Sequence, residues 1–276
     1  MKKICEQTKP VSLEDLAALN ALYRPGALDS GLIMIYIDRK NGKEEVTYDF
    51  ESLKEVLENT HGVLVYQEQI MNTFRVLASY SLGEADLIRR SLGKKKLDEM
   101  EKQKDTFIDR AIKNGYKQEE LEKLWEKILN YSSYCFNKAH SMAYSAISYQ
   151  TAYLKHYYPV YFWATVLTNE CNDPDSFKKY LDLVRKNFIT ILPPDINKSD
   201  LGFKVEDNKA KTIRYGLIGI KGVGEAVINA ILEERNKKPF ISLYDFLSRM
   251  NSHSVNKRSL EVFVKSGALD TLLPEV

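Results

Sequence analysis

The stretch from Phe136 to Pro159 is dense in side chains that can contact a nucleotide. It places aromatic rings beside cations, imidazoles, amides and hydroxyls, whereas a buried helix is usually aliphatic along one face. Rings can stack on bases and cations can neutralise phosphates, so this composition fits a nucleotide-facing surface. The groups are the cations Lys138 and Lys155, the imidazoles of His140 and His156, the amides of Asn137 and Gln150, the hydroxyls of Ser141, Ser148 and Thr151, and the rings of Phe136, Tyr144, Tyr149 and Tyr153.

A second feature is a basic run that places five cations within eight residues. Arginine suits two-pronged contact with a phosphate, and lysine suits neutralisation by a point charge. On a helix over 84–92, the two arginines would point about 100° apart. Phosphate binding and a solvated charged face both remain open from the sequence. The five cations are Arg89, Arg90, Lys94, Lys95 and Lys96.

Polar side chains also stand where a short strand is predicted to turn into a helix, at Tyr66-Gln67-Glu68-Gln69. Such a junction often borders a cleft. The sequence nevertheless favours simple decoration of the helix N-terminus, in which Glu68 complements the helix dipole. Arg24 lies in the turn Leu22-Tyr23-Arg24-Pro25-Gly26, which by itself indicates only a loop.

The glycines of Gly219-x-x-Gly222-x-Gly224 are not in the order of a dinucleotide-binding fingerprint. They resemble the hairpin of a helix-hairpin-helix element, in which backbone N–H groups and a helix N-terminus approach a DNA phosphate. Lys221 adds a positive charge to this hairpin. A tight turn after a strand explains the same spacing equally well, and Ser266-Gly267-Ala268 is a weaker second candidate.

Catalytic groups are not evident in the sequence. Two-metal phosphoryl transfer needs carboxylates that hold two cations close together. The D-x-D at Asp173-Pro174-Asp175 is explained by a helix cap, and Asp195 and Asp200 lie in a connector without a strand to place them. His140 and Ser141 are neighbours on a helix and therefore point apart. We predict no catalytic residue and no metal site.

Composition places the chain among soluble proteins. The net charge of +2 is close to zero, so any contact with nucleic acid must come from local basic patches. Three widely spaced cysteines indicate free thiols in a reducing cytosol. Neither a membrane-length apolar run nor a signal peptide is present, so we expect a cytoplasmic protein without a membrane partner. Its start and end suggest a fragment of a larger protein.

Periodicity predicts a mainly α fold, in which a large helical domain precedes a small mixed α/β segment with a helix-hairpin-helix-like element. Ser12 and Asp173 are expected helix caps. A boundary is expected near residue 190, giving domains at 1–60, 61–190 and 191–276. Helices are predicted over 12–23, 27–38, 51–58, 67–79, 84–92, 97–114, 118–130, 139–157, 159–170, 175–187, 225–236, 242–250 and 255–265, and short strands over 61–65, 202–206 and 211–216.

Taken in order, these motifs closely resemble those of bacterial DNA polymerase III alpha subunits, the C-family replicative polymerases. The resemblance runs over essentially the whole chain. It is carried by Leu22–Gly26, Tyr66–Gln69, Gly83–Lys96, Phe136–Tyr144, Ser148–Thr151, Tyr158–Pro159, Leu192–Asn197 and Gly219–Gly224. It implies that residues 1–60 are the junction between palm and fingers, that 61–190 are the fingers, and that 191–276 carry the helix-hairpin-helix region.

The resemblance also implies roles. The fingers fold over the incoming nucleotide, while the three catalytic aspartates and their Mg²⁺ belong to the palm, outside the matched part. The chain alone would therefore be inactive and bind no cofactor. Implied partners are dNTP, template-primer DNA, the sliding clamp and other replicase subunits. The implied nucleotide contacts are Arg89, Arg90, Lys94, Lys95, Lys96, Asn137, Lys138, His140, Ser141 and Tyr144, and the implied DNA contacts are Arg24, Gln67, Gln69, Tyr149, Gln150, Lys221, Gly222 and Gly224.

Two other functions remain open. The chain could be a non-catalytic module that holds DNA through the basic run and the glycine hairpin, or a helical interaction domain whose polar residues are merely solvated. A DNA-binding module should bind DNA by itself with a steep salt dependence, and an interaction domain should not bind DNA at any salt concentration.

Overall fold

The computed structural model describes residues 1–94, 97–132, 134–250 and 255–273, with side chains throughout these ranges except at 93, 94 and 97–101. Contacts divide the chain into two compact units, Met1–Gln150 and Thr151–Val276. The predicted mainly α fold with a small mixed segment is confirmed. The predicted domains at 1–60, 61–190 and 191–276 do not follow this division and stay a prediction.

The first unit is helical. Ser12 caps α2 as predicted: its hydroxyl accepts from the backbone N–H of Asp15, and the Asp15 carboxylate accepts from the N–H of Ser12. The buried Asp15 also accepts from Tyr36 Oη and Lys40 Nζ, which ties α2 to α4. The helices are α1 (Lys2–Thr8), α2 (Leu13–Leu22), α3 (Pro25–Asp29), α4 (Leu32–Lys40), α5 (Lys54–Leu57), α6 (Gln67–Ala78), α7 (Leu82–Lys94), α8 (Leu97–Lys113), α9 (Gln118–Ser132) and α10 (Lys138–Tyr157), the last of which continues into the second unit.

Two apolar clusters form the core of the first unit. The larger one packs α6, α7, α8 and α9 around Phe74, Phe107 and Trp125, whose rings lie within 6 Å of one another. The smaller one packs α2, α4 and the segment 63–66 around alanines of α2 and Tyr36. Burial of these side chains is the main stabilising term for both clusters.

Two predictions for the first unit were wrong, and one helix of this unit was missed. The strand at 61–65 is absent: His61 and Gly62 have positive φ and form a turn, and one isolated bridge follows, between Tyr66 and Phe136. Side chains replace the missing ladder there, as described below for Gln69. The helix predicted at 27–38 is broken at Gly31, whose φ of +74° suits glycine. Helix α1 was not predicted.

The second unit combines helices with a three-stranded sheet of order β1-β3-β2. β1 pairs with β3 in parallel, with Ile191 opposite Ile213, and β2 pairs with β3 antiparallel. Strands β2 and β3 match the two predicted strands, whereas β1 was not predicted. The elements are α11 (Pro159–Glu170), α12 (Pro174–Lys186), β1 (Thr190–Leu192), β2 (Lys204–Asp207), β3 (Thr212–Arg214), α13 (Glu225–Lys237), α14 (Leu243–Arg249) and α15 (Lys257–Lys265).

Asp173 caps α12 as predicted, accepting from the N–H groups of Asp175 and Ser176. Helices α11 and α12 cover the sheet through Trp163, Leu167 and Val184, which pack with Ile213. A separate cluster gathers α13, α14 and α15 around Ile228, Phe246 and Phe263. The second unit therefore has one core beneath the sheet and one among its last three helices.

Phe188, which lies in the C-terminal cap of helix α12, has an unfavourable backbone conformation. The Phe188 N–H bonds to Arg185 O and the Ile189 N–H to Val184 O, which is the pattern of a Schellman cap. Phe188 occupies the left-handed position of that cap, with φ of +57°, where glycine is usual. Its ring is 87% exposed and contributes little burial to offset the strain.

Replacing Phe188 with glycine should therefore stabilise the chain. We expect Phe188→Gly to raise the free energy of unfolding by about 1 kcal/mol, because glycine adopts positive φ without a Cβ clash. Phe188→Ala is the matched control: it removes the exposed ring but keeps the Cβ, so its stability should stay near that of the parent chain. Urea unfolding of all three proteins tests this, and equal stabilities for the glycine and alanine variants would contradict it.

Candidate nucleotide and nucleic-acid interface

The first turn of α6 is a hub of hydrogen bonds inside the first unit. Gln69 is 6% exposed, and its Oε1 accepts from the N–H groups of Val65 and Tyr66, each at 2.9 Å. Its Nε2 donates to Thr60 Oγ1 at 2.7 Å. Both ends of the amide are thus used within the protein. The predicted DNA contact by Gln69 stays a prediction, and in this structure the side chain is buried and bonded within the protein.

Glu68, the next side chain of this turn, caps another helix. Its carboxylate accepts from the Lys138 N–H at 3.0 Å and from Asn137 Nδ2 at 3.0 Å, at the start of α10. Asn137 Oδ1 in turn accepts from the His140 N–H at 2.8 Å. Glu68 therefore complements the N-terminus of α10 as well as that of its own helix, a role that local sequence did not reveal.

Gln67 connects the same turn to α7. Its Oε1 accepts from Arg89 Nη1 at 3.1 Å, and its backbone N–H donates to Phe136 O at 2.9 Å. The Gln67 side chain is half-buried. The first turn of α6 thus brings together α7 and the start of α10, two regions that the sequence singled out independently.

The arginine pair, Arg89 and Arg90, shares one carboxylate. Asp86 Oδ1 accepts from Arg89 Nε at 2.9 Å and Nη2 at 2.8 Å, and Asp86 Oδ2 lies 2.8 Å from Arg90 Nη2. The hydrogen bonds from Arg89 hold the pKa of Asp86 below its usual value. Arg89 is 26% exposed and Arg90 64% exposed, so Arg90 is the more accessible cation.

The lysines of the basic run are only partly covered by the described residues. Lys94 is the last residue of α7, and its side chain is not described. Lys95 and Lys96 lie outside the described residues. Their predicted contact with a nucleotide stays a prediction.

Four side chains of the first unit contact one another in series: Arg24, Phe136, His140 and Tyr144. We call this group the ring stack, although the Phe136 and His140 rings meet edge to face. The Arg24 guanidinium lies 4.3 Å from the centre of the Phe136 ring, the Phe136 and His140 ring centres are 5.3 Å apart, and those of His140 and Tyr144 are 4.6 Å apart. His140 and Tyr144 are exposed. Their rings offer a surface on which a base could stack.

Arg24 is the inner end of the ring stack. Its Nε donates to Ala21 O at 2.8 Å and its Nη2 to Tyr134 O at 2.6 Å. The guanidinium therefore braces the chain before α10 and supports Phe136. Contact between Arg24 and DNA stays a prediction, with much of its donor capacity already used.

Ser141 and Ser145 pack α10 against α2. Both are fully buried; Ser141 Oγ donates to Ala17 O at 2.6 Å, and Ser145 Oγ accepts from Asn20 Nδ2 at 2.7 Å. Small side chains on both helices allow this close approach. The predicted nucleotide contact by Ser141 stays a prediction, and in this structure its buried hydroxyl donates to Ala17 O.

Lys138 lies in an acidic setting. It lines a cavity of about 320 Å³ together with Glu14, Glu55 and Glu68. Its Nζ is 5.7 Å from the centre of the Tyr66 ring. Burial, and then the negative charge of Glu14, raises the pKa of Tyr66. Three carboxylates around the cavity disfavour a phosphate there, so the predicted contact between Lys138 and a nucleotide has little support from its surroundings.

Tyr149 and Gln150 are exposed at the end of the first unit. Tyr149 also lines a shallow cavity with Pro10, Val11 and Leu13. Their predicted contact with DNA stays a prediction.

The glycine hairpin of the second unit exposes the Lys221 side chain and the backbone of two glycines to solvent. Lys221, Gly222 and Gly224 are exposed, whereas Val223 is buried in the core of α13, α14 and α15. Gly222 has φ of +93°, and Gly224 is the N-cap of α13 without a side-chain cap. Because the N-cap residue of α13 has no side chain, an anion can approach the N–H groups in the first turn of this helix.

Two kinds of feature are absent from the described residues: a metal-binding cluster and a membrane-spanning helix. Within them, no three histidine, cysteine, aspartate or glutamate residues are grouped so as to hold a metal ion. No helix among them has both the length and the apolar character needed to span a membrane.

Comparisons with known proteins agree with the motifs. The family model of the bacterial DNA polymerase III alpha subunit finger domain matches residues 1–115, and that of the helix-hairpin-helix motif matches residues 188–275. The DNA polymerase III subunit alpha of Aquifex aeolicus is 49% identical over 274 residues, which cover 98% of this chain and 23% of that subunit. The chain thus corresponds, over nearly its whole length, to one part of the bacterial DNA polymerase III alpha subunits. The subunit alpha of Campylobacter jejuni is 44% identical over 98% of this chain and 23% of its own length, and that of Escherichia coli K12 is 43% identical over 99% and 24%.

The chain spans about a quarter of the length of these curated polymerase III alpha subunits. The finger-domain match includes α6 and α7, and therefore the arginine pair and its partner Gln67. The helix-hairpin-helix match includes the glycine hairpin.

The start of α7 is fixed by an acidic cap. Glu84 accepts from the Ser81 N–H and Ser81 Oγ, each at 2.8 Å, and from Arg110 Nη2 at 3.0 Å. These bonds, led by that from the Ser81 N–H, lower the pKa of Glu84 to about 2. Because the folded-state pKa is lowered, the ionised Glu84 stabilises the fold above its unfolded pKa, and this contribution is lost as the pH falls toward 2.

Glu84→Gln should therefore make the stability of this chain less sensitive to acid. We expect lower stability than the parent chain at pH 7, and a smaller loss of stability between pH about 4.5 and about 2. Urea unfolding at several pH values measures both. Stability curves that stay parallel across this pH range would contradict the assignment.

Proposed function

We propose that this chain supplies nucleotide- and DNA-contacting surfaces to a replicative DNA polymerase, and that DNA-templated nucleotidyl transfer is the activity it serves. The observation that carries the proposal is the first turn of α6, which places the arginine pair and the ring stack around one set of hydrogen bonds. A triphosphate needs cations, and a nascent base pair needs flat rings and amides.

In this proposal the arginine pair binds the triphosphate of the incoming dNTP, with Arg90 as the more exposed contact. The ring stack presents His140 and Tyr144 to the nascent base pair, beside the exposed Asn137, whose amide also bonds to Glu68 and to the His140 N–H. Gln67 serves mainly to hold Arg89. In the sequence, Lys94, Lys95 and Lys96 follow the arginine pair and add three positive charges.

The second unit contributes backbone contacts to duplex DNA. Lys221, Gly222 and the N-terminus of α13 behind Gly224 form a surface that suits a phosphate and reads no sequence. Template-primer DNA is therefore the proposed partner of the hairpin. Binding to the sliding clamp and other replicase subunits, and a cytoplasmic location, are proposed by analogy with the family.

In this proposal, the described residues do not carry out the metal-dependent step of nucleotidyl transfer. The described residues offer no cluster that fits a pair of Mg²⁺ ions, so no catalytic step is assigned to them. The palm aspartates of the family lie outside the matched part. We propose that the chain alone binds substrates but does not polymerise DNA.

A chimaeric enzyme tests the nucleotide contact. This chain replaces the corresponding 274-residue region of the Aquifex aeolicus subunit, and primer extension is measured. The chimaera should extend primers, and Arg90→Ala within it should raise the KM for dNTP about tenfold, since a charge-assisted phosphate contact is lost. Lys117→Ala, at another exposed cation of the first unit, is the control. An unchanged KM for Arg90→Ala would refute the proposed contact.

A salt titration tests the hairpin and separates the alternative of a stand-alone DNA-binding module. Lys221→Ala should weaken binding of the 276-residue chain to duplex DNA, and should reduce the slope of log K against log salt by about 1. Lys237→Ala, in the last turn of α13, should leave the slope unchanged. Equal slopes for the two variants would exclude the hairpin. Tight DNA binding by a chain that fails in the chimaera would favour the stand-alone module.

A further inference from the structure

We propose that Asp86 is a positioning residue that gathers the arginine pair into a single anion site. The inference rests on the proposed function, because it assumes that the arginine pair meets a phosphate. The proposal gives Asp86 a role in ligand binding, beyond that of a partner in surface ion pairs.

The geometry of α7 explains why a gathering residue is needed. Arg89 and Arg90 are consecutive, so their Cα–Cβ bonds point about 100° apart around the helix. Asp86 precedes them by three and four residues and lies on the same face as both. Its Oδ1 accepts twice from Arg89 and its Oδ2 pairs with Arg90, so one carboxylate draws both guanidiniums to the same place.

Gln67 fixes the remaining side of Arg89. With Nε and Nη2 bound to Asp86 and Nη1 bound to Gln67 Oε1 at 3.1 Å, the guanidinium plane of Arg89 is held from two helices. Arg90 forms an ion pair with Asp86 and keeps 64% of its side chain exposed. The result is one oriented guanidinium beside one accessible guanidinium.

A carboxylate beside an anion site could also act in the opposite sense, by repelling phosphate. Its charge is already matched by two guanidiniums, so the group of three residues keeps a net positive charge. Two flexible arginines that must otherwise be ordered by the ligand each cost binding free energy, and holding them in advance reduces that cost. We therefore expect the ordering effect to exceed the repulsion.

The test measures binding of inorganic tripolyphosphate and of dATP to the 276-residue chain by calorimetry. Asp86→Ala should raise both dissociation constants about three- to tenfold. Asp86→Glu, which can still pair with both arginines, should restore the parent affinity. Gln67→Ala should weaken binding in the same direction by a smaller factor. Tighter binding by Asp86→Ala would overturn the proposal, because it would show that the carboxylate competes with the ligand.

Controls separate positioning from general stability and from failure of the proposed site. Asp182→Ala breaks another Asp–Arg pair at i and i+3, that of Asp182 with Arg185 on α12, and should not change either dissociation constant. If Arg90→Ala weakens binding but Asp86→Ala does not, the positioning role alone fails. If neither substitution changes binding, or the parent chain binds neither ligand, the proposed nucleotide site fails as well.

Discussion

The first turn of α6 holds the candidate nucleotide surface together. Its three polar side chains point in three directions because consecutive residues of a helix are about 100° apart. Gln69 turns inward to the extended segment before α6, Glu68 caps α10, and Gln67 reaches Arg89 on α7. Through Arg89, Phe136 and the start of α10, hydrogen bonds from this one turn link the arginine pair to the ring stack.

The stretch from Phe136 to Pro159 has a different physical meaning in the fold than its composition suggested. Its scarcity of large aliphatic residues reflects two separate facts. Ser141 and Ser145 replace aliphatic side chains on the face that packs closely against α2. His140 and Tyr144 lie on the exposed face, where rings are available to a ligand. An exposed aromatic face and a closely packed face thus share one helix, and only the close packing explains the serines.

Local signals predicted much of the fold. The caps at Ser12 and Asp173 and the long periodic helices follow from residues within one turn of each other. No strand forms at 61–65, where His61 and Gly62 make a turn with positive φ and the Gln69 side chain takes the N–H groups of Val65 and Tyr66; no local strand signal reports that long-side-chain contact. The links of Glu68 to Lys138 and of Gln67 to Arg89 join residues far apart in sequence, so spacing could not reveal them. Burial of Gln69 and Ser141 was equally invisible, since both are polar residues in polar motifs.

Photocrosslinking tests the central claim most directly. The chimaeric subunit is loaded with primer-template and an azido-substituted dATP, and the crosslinked peptides are identified by mass spectrometry. If α7 and the start of α10 form the nucleotide surface, crosslinks will map to the peptides that contain Arg90, His140 and Tyr144. Crosslinks confined to residues 188–275, or to parts of the subunit outside this chain, would contradict it.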